Sequence, residues 1–243
     1  MKPNIEVFAD QSQLIERALE LTLAEIKDAI AQRGRCTMAL AGGNTPKPLY
    51  EQLAQQDLPW QNIHIFWGDE RYVPISDPQS NAGMATKAWL NHVAIPPTNI
   101  YPMPTQAADP AEAAQTYDQQ LQTFFGTGPK EFPSFDLVLL GLGPDGHTAS
   151  LFPHTDALQV CDRNVTVGNK DGQPRLTLTV PVLNQARRIF FLATGANKQD
   201  ALTEIFAETA DATHYPARLI QPIHGKLSWL LDTAAGEPLQ KYL

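Results

Sequence analysis

Four apolar segments, each released into a glycine-bearing polar loop, constrain this chain more than any other feature. Cys36–Ala41 runs into Gly42-Gly43-Asn44-Thr45-Pro46, and Ile63–Trp67 into Gly68-Asp69-Glu70-Arg71. Phe135–Leu140 runs into Gly141-Leu142-Gly143-Pro144-Asp145-Gly146-His147, and Arg188–Ala193 into Thr194-Gly195-Ala196-Asn197-Lys198. Short, largely apolar runs are what strands covered on both faces of a parallel sheet look like. The segments between them have helical period. Ile15, Leu19, Leu23, Ile26 and Ile30 recur at helical spacing behind Asp10 and Gln13, which resemble a capping box, and Gly34 ends the run. Pro46 can open a helix through Leu49, Tyr50 and Leu53, and Asn81–Val93, Pro110–Phe125 and Asn197–Phe206 read as further helices. More strands are expected at Ile5–Phe8, at the alternating Leu176–Val180 and at Leu227–Leu231. The order predicts an α/β fold: an open, mainly parallel sheet flanked by helices.

The 243 residues hold no internal repeat. The proline-rich stretch Pro96–Pro110 reads as a surface connection, without the length or Gly/Ser bias of a flexible linker. Residues 1–243 are therefore expected to form a single domain. Eighteen Lys and Arg stand against 26 Asp and Glu, a net charge of -8. That balance argues against nucleic acid or an anionic membrane as the main partner, because both require a broad basic face. A small anionic substrate needs only a few local donors. Neither a leader pattern near Met1–Asp10 nor an apolar run approaching ~18 residues is present, so the cytoplasm is the expected location. Cys36 and Cys161 form no C-x-x-C pair, and Cys36 is expected to be a buried thiol.

In a parallel sheet the carboxyl ends of the strands share one edge, where open α/β sheets bind ligands. Arg71, Asp69, Glu70, Asp145, His147, Lys198 and the Gly42-Gly43 turn should gather there. The Gly42–Thr45 loop reads either as a tight turn or as an anion site, with free N–H groups beside a helix start. Gly68–Arg71 is either a solvated charge cluster or part of a site. Gly141–Gly146 is a literal G-x-G-x-x-G, but Pro144, Asp145 and the early Pro153 argue against a dinucleotide fingerprint. Its glycines instead let the backbone fold back and hold Asp145 and His147. No metal-ligand spacing, Walker A loop or G-x-S-x-G elbow occurs, which leaves a general-base enzyme without metal or cofactor as the simplest class.

Taken together, Gly42–Pro46, Gly68–Arg71, Ser80-Asn81, the block Gly141–Pro153, Arg175-Leu-Thr-Leu-Thr and Leu183–Arg187 resemble the 6-phosphogluconolactonases over essentially the whole chain. The related glucosamine-6-phosphate deaminases carry Tyr after Asp-Glu, and Ile-Ala-Phe-Asn-Glu-Pro after the histidine. Here those places read Arg71 and Thr148-Ala-Ser-Leu-Phe-Pro153. The resemblance implies hydrolysis of 6-phospho-D-glucono-1,5-lactone to 6-phosphogluconate in the oxidative pentose phosphate pathway. It implies His147 as the base, a task suited to a side chain that titrates near neutrality. Asp145 or Asp69 would orient its ring. Arg71 or backbone N–H groups would stabilise the oxyanion, unless Arg71 serves the phosphate. Gly42, Gly43, Asn44 and Thr45, with Lys198, would hold the phosphate. The small-molecule lactone is the expected partner, and the protein is taken as a monomer. A sugar-phosphate deaminase or isomerase on the same fold, and a non-catalytic sugar-phosphate-binding protein, are the alternatives.

Overall fold

The computed structural model describes residues 4–129 and 131–242. Among them the strands are β1 (Asn4–Phe8), β2 (Cys36–Leu40), β3 (Ile63–Trp67), β4 (Asp69–Arg71), β5 (Leu137–Gly141), β6 (Val165–Lys170), β7 (Gln173–Leu178), β8 (Arg188–Ala193) and β9 (Lys226–Asp232). The helices are α1 (Gln11–Arg33), α2 (Lys47–Leu53), α3 (Asn81–Ala88), α4 (Pro110–Phe125), α5 (Val180–Asn184), α6 (Gln199–Ile205) and α7 (Thr233–Gly236).

Six strands make the main sheet in the order β1-β9-β8-β5-β2-β3, and each neighbouring pair is parallel. Cys36–Leu40 of β2 and Leu137–Leu140 of β5 are buried throughout, as their apolar runs require. Leu137 and Leu139 are fully buried, so truncating either to alanine should cost roughly 2–5 kcal/mol. Asp10 caps α1 with one half of the expected box, and Gly34 ends it as expected. Asp10 accepts the Gln13 N–H at 3.0 Å, and Gly34, at φ 74°, closes the helix with its N–H on the Ile30 carbonyl.

Two of the expected elements change course within their expected range. The helix expected over Asn81–Val93 stops at Ala88. Trp89 leaves helical geometry (φ -142°, ψ -63°) and buries its indole against Tyr50 and Trp60, with centroids 5.9 and 6.0 Å away. The strand expected at Leu176–Val180 begins earlier and ends at Leu178, and Val180 instead opens α5. Pro181 lacks an N–H for a ladder but fits a helical first turn. The Pro96–Pro110 stretch also does more than connect. Tyr101 donates its N–H to Ile65 at 2.8 Å and stacks on Phe66 at 4.4 Å, covering the outer edge of β3.

A second, antiparallel sheet is ordered β4-β7-β6. Its hairpin turns through Asp171 (φ 52°) and Gly172 (φ 83°), both left-handed as a type I′ turn demands. Gly68 joins the sheets: its N–H donates to Leu40 at 2.9 Å, and its carbonyl accepts from Leu178 at 2.8 Å. Apolar residues of both sheets, such as Leu139 and Leu178, share one hydrophobic cluster. Cys36 lies buried in it, and burial pushes its thiol up, while Cys161 is exposed. No described helix is long and apolar enough to cross a membrane.

Candidate active site

A cavity of about 320 Å³ opens at the carboxyl ends of β2, β3, β5 and β8. It straddles β2 and β5, where chain order reverses: β3 follows β2 on one side, and β5 leads to β8 on the other. Its walls include Gly42, Gly43, Asn44, Thr45, Asp69, Arg71, His147 and Lys198. The structure thus brings together these residues from all four predicted loops. Asp145 is not part of the wall; it stands behind His147. The hydroxyls of Tyr50 and Thr45 steady the glycine loop. Tyr50 donates to the Ala41 carbonyl at 2.7 Å and accepts its N–H at 3.0 Å, and Thr45 shares a 3.2 Å hydrogen bond with Thr194 after β8.

The loop after β5 is folded back on itself. Gly143 donates its N–H to the His147 carbonyl at 2.8 Å, and Gly146, at φ 78°, donates to Gly143. This brings Asp145 Oδ1 against His147 Nδ1, and the same oxygen accepts the His147 N–H at 3.2 Å. A Cβ on Gly143 would overlap both His147 Nδ1 and Asp145 Oδ1, so only glycine leaves room for the pair. Burial pushes the Asp145 carboxyl up, but its hydrogen bonds and charge interaction with His147 outweigh that and hold it at about 2. With Nδ1–H donated to Asp145, Nε2 is left as the nitrogen able to accept a proton. No α-helix follows this loop directly, so the glycine pattern lacks the element a dinucleotide fingerprint needs.

Asp69 and Glu70 have other duties. Asp69 is buried, and its carboxylate takes the Ser150 hydroxyl at 2.6 Å and the Asn81 amide at 3.3 Å. The carboxylate paired with His147 is therefore Asp145. Glu70, 2% exposed, accepts the N–H groups of Asn81 and Ala82 at 2.7 Å and the Ser80 hydroxyl at 3.0 Å, capping α3 from β4. Burial raises its pKa, and these bonds, with a further one from Arg71 N–H, oppose the rise. Asn81 lies so close to Gly42 that a Cβ there would collide with its amide.

Lys170, Arg175 and Asn81 also line the cavity; Asn81 and Arg175 fall in motifs that carry the resemblance, but none of the three was expected among the site residues. Arg175 sits directly opposite Arg71 in the β4–β7 register. Like charges so placed repel, and each has a buried Nε without a partner, while Arg71 Nη1 donates to the Gln79 carbonyl at 2.5 Å. Burial and the Arg71 charge lower the Arg175 pKa. Lys198 is lowered by burial, with Asp145 opposing the shift and Lys170 adding to it. Four cations around one cavity, in a chain of net charge -8, focus a positive field suited to an anion. Among the described residues, no group of three or more His, Cys, Asp or Glu is arranged to hold a metal ion.

A family model describing glucosamine-6-phosphate isomerases and 6-phosphogluconolactonase matches residues 9–229. A 6-phosphogluconolactonase from Synechocystis is 61% identical over 240 residues, covering 99% of this chain and 100% of its own. One from Nostoc is 57% identical, covering 98% and 99%. The solved 6-phosphogluconolactonase of Trypanosoma brucei is 34% identical and superposes with a TM-score of 0.87, covering 98% of this chain and 99% of its own. With its sheet order, folded-back histidine loop and cation-lined cavity, the chain belongs to the glucosamine-6-phosphate isomerase/6-phosphogluconolactonase family.

Proposed function

We infer that this chain hydrolyses 6-phospho-D-glucono-1,5-lactone to 6-phosphogluconate, the second step of the oxidative pentose phosphate pathway. The observation that carries the reading is the Asp145–His147 pair beside a cavity ringed by four cations, in a chain 61% identical to a 6-phosphogluconolactonase. His147 Nε2 takes a proton from water as the oxygen attacks C1 of the lactone. Asp145 keeps the proton on Nδ1 and stabilises the imidazolium. The tetrahedral intermediate then collapses, the C1–O5 bond breaks, and the imidazolium returns its proton to O5.

We assign the cations two tasks. Arg175 lies near the aromatic ring that contacts His147, with Arg71 opposite it, so this pair serves the oxyanion. The Thr45–Thr194 bond joins the glycine loop to the segment carrying Lys198, so Gly42, Gly43, Asn44, Thr45 and Lys198 hold the phosphate. Asp69 builds the wall through Ser150 and Asn81. We take residues 1–243 as one domain acting as a monomer in the cytoplasm; a shared core supports the single domain, and a site drawn from one chain is consistent with the monomer. The cations gather in the cavity, which favours a small anion over nucleic acid. A coupled assay with freshly made lactone, corrected for spontaneous hydrolysis, tests the reading. Turnover supports it; ammonia release from glucosamine 6-phosphate without lactone turnover replaces it with the deaminase, and binding without turnover with a sensor.

A further inference from the structure

We propose that Phe152 is the positioning residue of this site, its ring fixing His147, Lys170 and Arg175 relative to one another. The proposal rests on the reading of His147 as the base. Phe152 is 5% exposed yet stands outside the main hydrophobic cluster. Its ring instead meets titratable side chains from three parts of the chain. The His147 ring lies 4.6 Å from it, tilted by 46°. Lys170 Nζ, at the end of β6, and Arg175 Cζ, in β7, each lie 5.6 Å from its centroid. Both distances are within the ~6 Å over which an aromatic face attracts a cation.

Bringing residue 152 back beside residue 147 takes an unusual turn. Ala149 adopts φ 48°, a left-handed conformation that its Cβ disfavours. Leu151 donates its N–H to Thr148 at 3.0 Å. The turn is tied down on both sides, by Thr148 Oγ1 to the Gly141 carbonyl at 2.9 Å and by Ser150 Oγ to Asp69. β6 passes so close that a Cβ on Gly168 would strike the Ser150 carbonyl. Backbone strain held in place by its surroundings gathers where function needs a fixed geometry.

The choice of an aromatic ring has a chemical reason. Arg175 must be held opposite Arg71, and Lys170 near Lys198, against repulsion. A carboxylate could hold them, but it would cancel the field that draws an anionic substrate. A π-face attracts cations while carrying no net charge, and it favours the imidazolium that His147 becomes during the reaction.

The test compares Phe152→Leu, Phe152→Met and Phe152→Tyr, each also in a His147→Asn background, with kcat, KM and thermal unfolding measured for the phosphorylated lactone. Losing the ring should lower kcat by about 10- to 100-fold, the scale of a small misplacement of catalytic groups. It should also raise KM by roughly 2–5-fold through the release of Lys170. Phe152→Tyr, which keeps the ring, should rescue both, and Phe152→Met should show the loss where Phe152→Leu does not fold. In the His147→Asn background the leucine substitution should still raise KM but lower kcat by less, because only the oxyanion arginine is then left to be misplaced. The proposal is overturned if Phe152→Leu or Phe152→Met lowers only the unfolding temperature, if Phe152→Tyr is as impaired as they are, or if kcat falls equally in both backgrounds. A fully active His147→Asn protein overturns the base assignment instead.

Discussion

Replacing Lys198 with alanine separates phosphate recognition from chemistry. Lys198 is half-buried on the turn after β8, and in its proposed role as a phosphate ligand it contributes to binding in ground and transition states alike. A charge-assisted hydrogen bond to phosphate is worth ~1.5–3 kcal/mol, or roughly 10–150-fold in affinity. Two features of the cavity favour the lower part of that range. Arg71, Lys170 and Arg175 share the same wall and continue to attract the substrate. Burial and Lys170 already disfavour the charged form of Lys198, so its removal also relieves a cost. KM should therefore rise about 10–40-fold with kcat largely unchanged, as expected for loss of uniform binding. The assay measures kcat/KM for the phosphorylated lactone and for plain gluconolactone with both proteins. Plain gluconolactone should be a poor substrate for wild type and almost indifferent to the substitution. If both lactones lose equally, Lys198 acts at the lactone ring or in the fold, and the assignment of the phosphate end is wrong.

His147→Asn should keep the fold and lower kcat by roughly 10²–10⁴, with the acid-side fall of kcat/KM abolished; retention of that limb would move the base elsewhere. Gly143→Ala should drive His147 and Asp145 apart, because a Cβ overlaps both; kcat should fall by at least about 10-fold, and an unaffected kcat would show the pair unnecessary. Asp145→Asn should lower thermal stability at neutral pH. The folded Asp145 pKa is depressed from its ordinary range to about 2. Its contribution is thus fully present above pH ~4 and is lost as pH falls toward the folded value. Unfolding midpoints of the two proteins should converge across that window; a constant difference would mean that the charge of Asp145 is irrelevant to folding.

The main sheet could be read from the sequence because burial on both faces leaves nearly unbroken apolar runs. β8 and α4 fall on their expected bounds. The second sheet was mostly hidden. β4 is three charged residues that look like a solvated cluster, and β6 mixes Gly168, Asn169 and Lys170 with only two valines. One signal was available: Asp171-Gly172 is a strong hairpin pair, and it would have placed Lys170 and Arg175 together. The four strand-end loops were legible as a site because parallel topology alone sends them to one edge. Which carboxylate meets His147 was not legible, since Asp69 and Asp145 are both adjacent to glycines. The structure separates them by the Ser150 and Asn81 bonds, which join residues up to 81 apart in sequence.

The facing arginines of β4 and β7 tie ligand occupancy to the folding equilibrium. Their side chains repel across a strand pair that is only three residues long, so an empty site carries an electrostatic load that an anion discharges. Any ligand that binds the native state alone shifts unfolding by mass action, about 2.7 kcal/mol at one hundred times its dissociation constant. Here part of that gain falls on the small sheet itself, whose outer strand also carries Glu70, the cap of α3. Bound product would then act as a reversible brace, moving the unfolding equilibrium toward the native state in step with its saturation of the site.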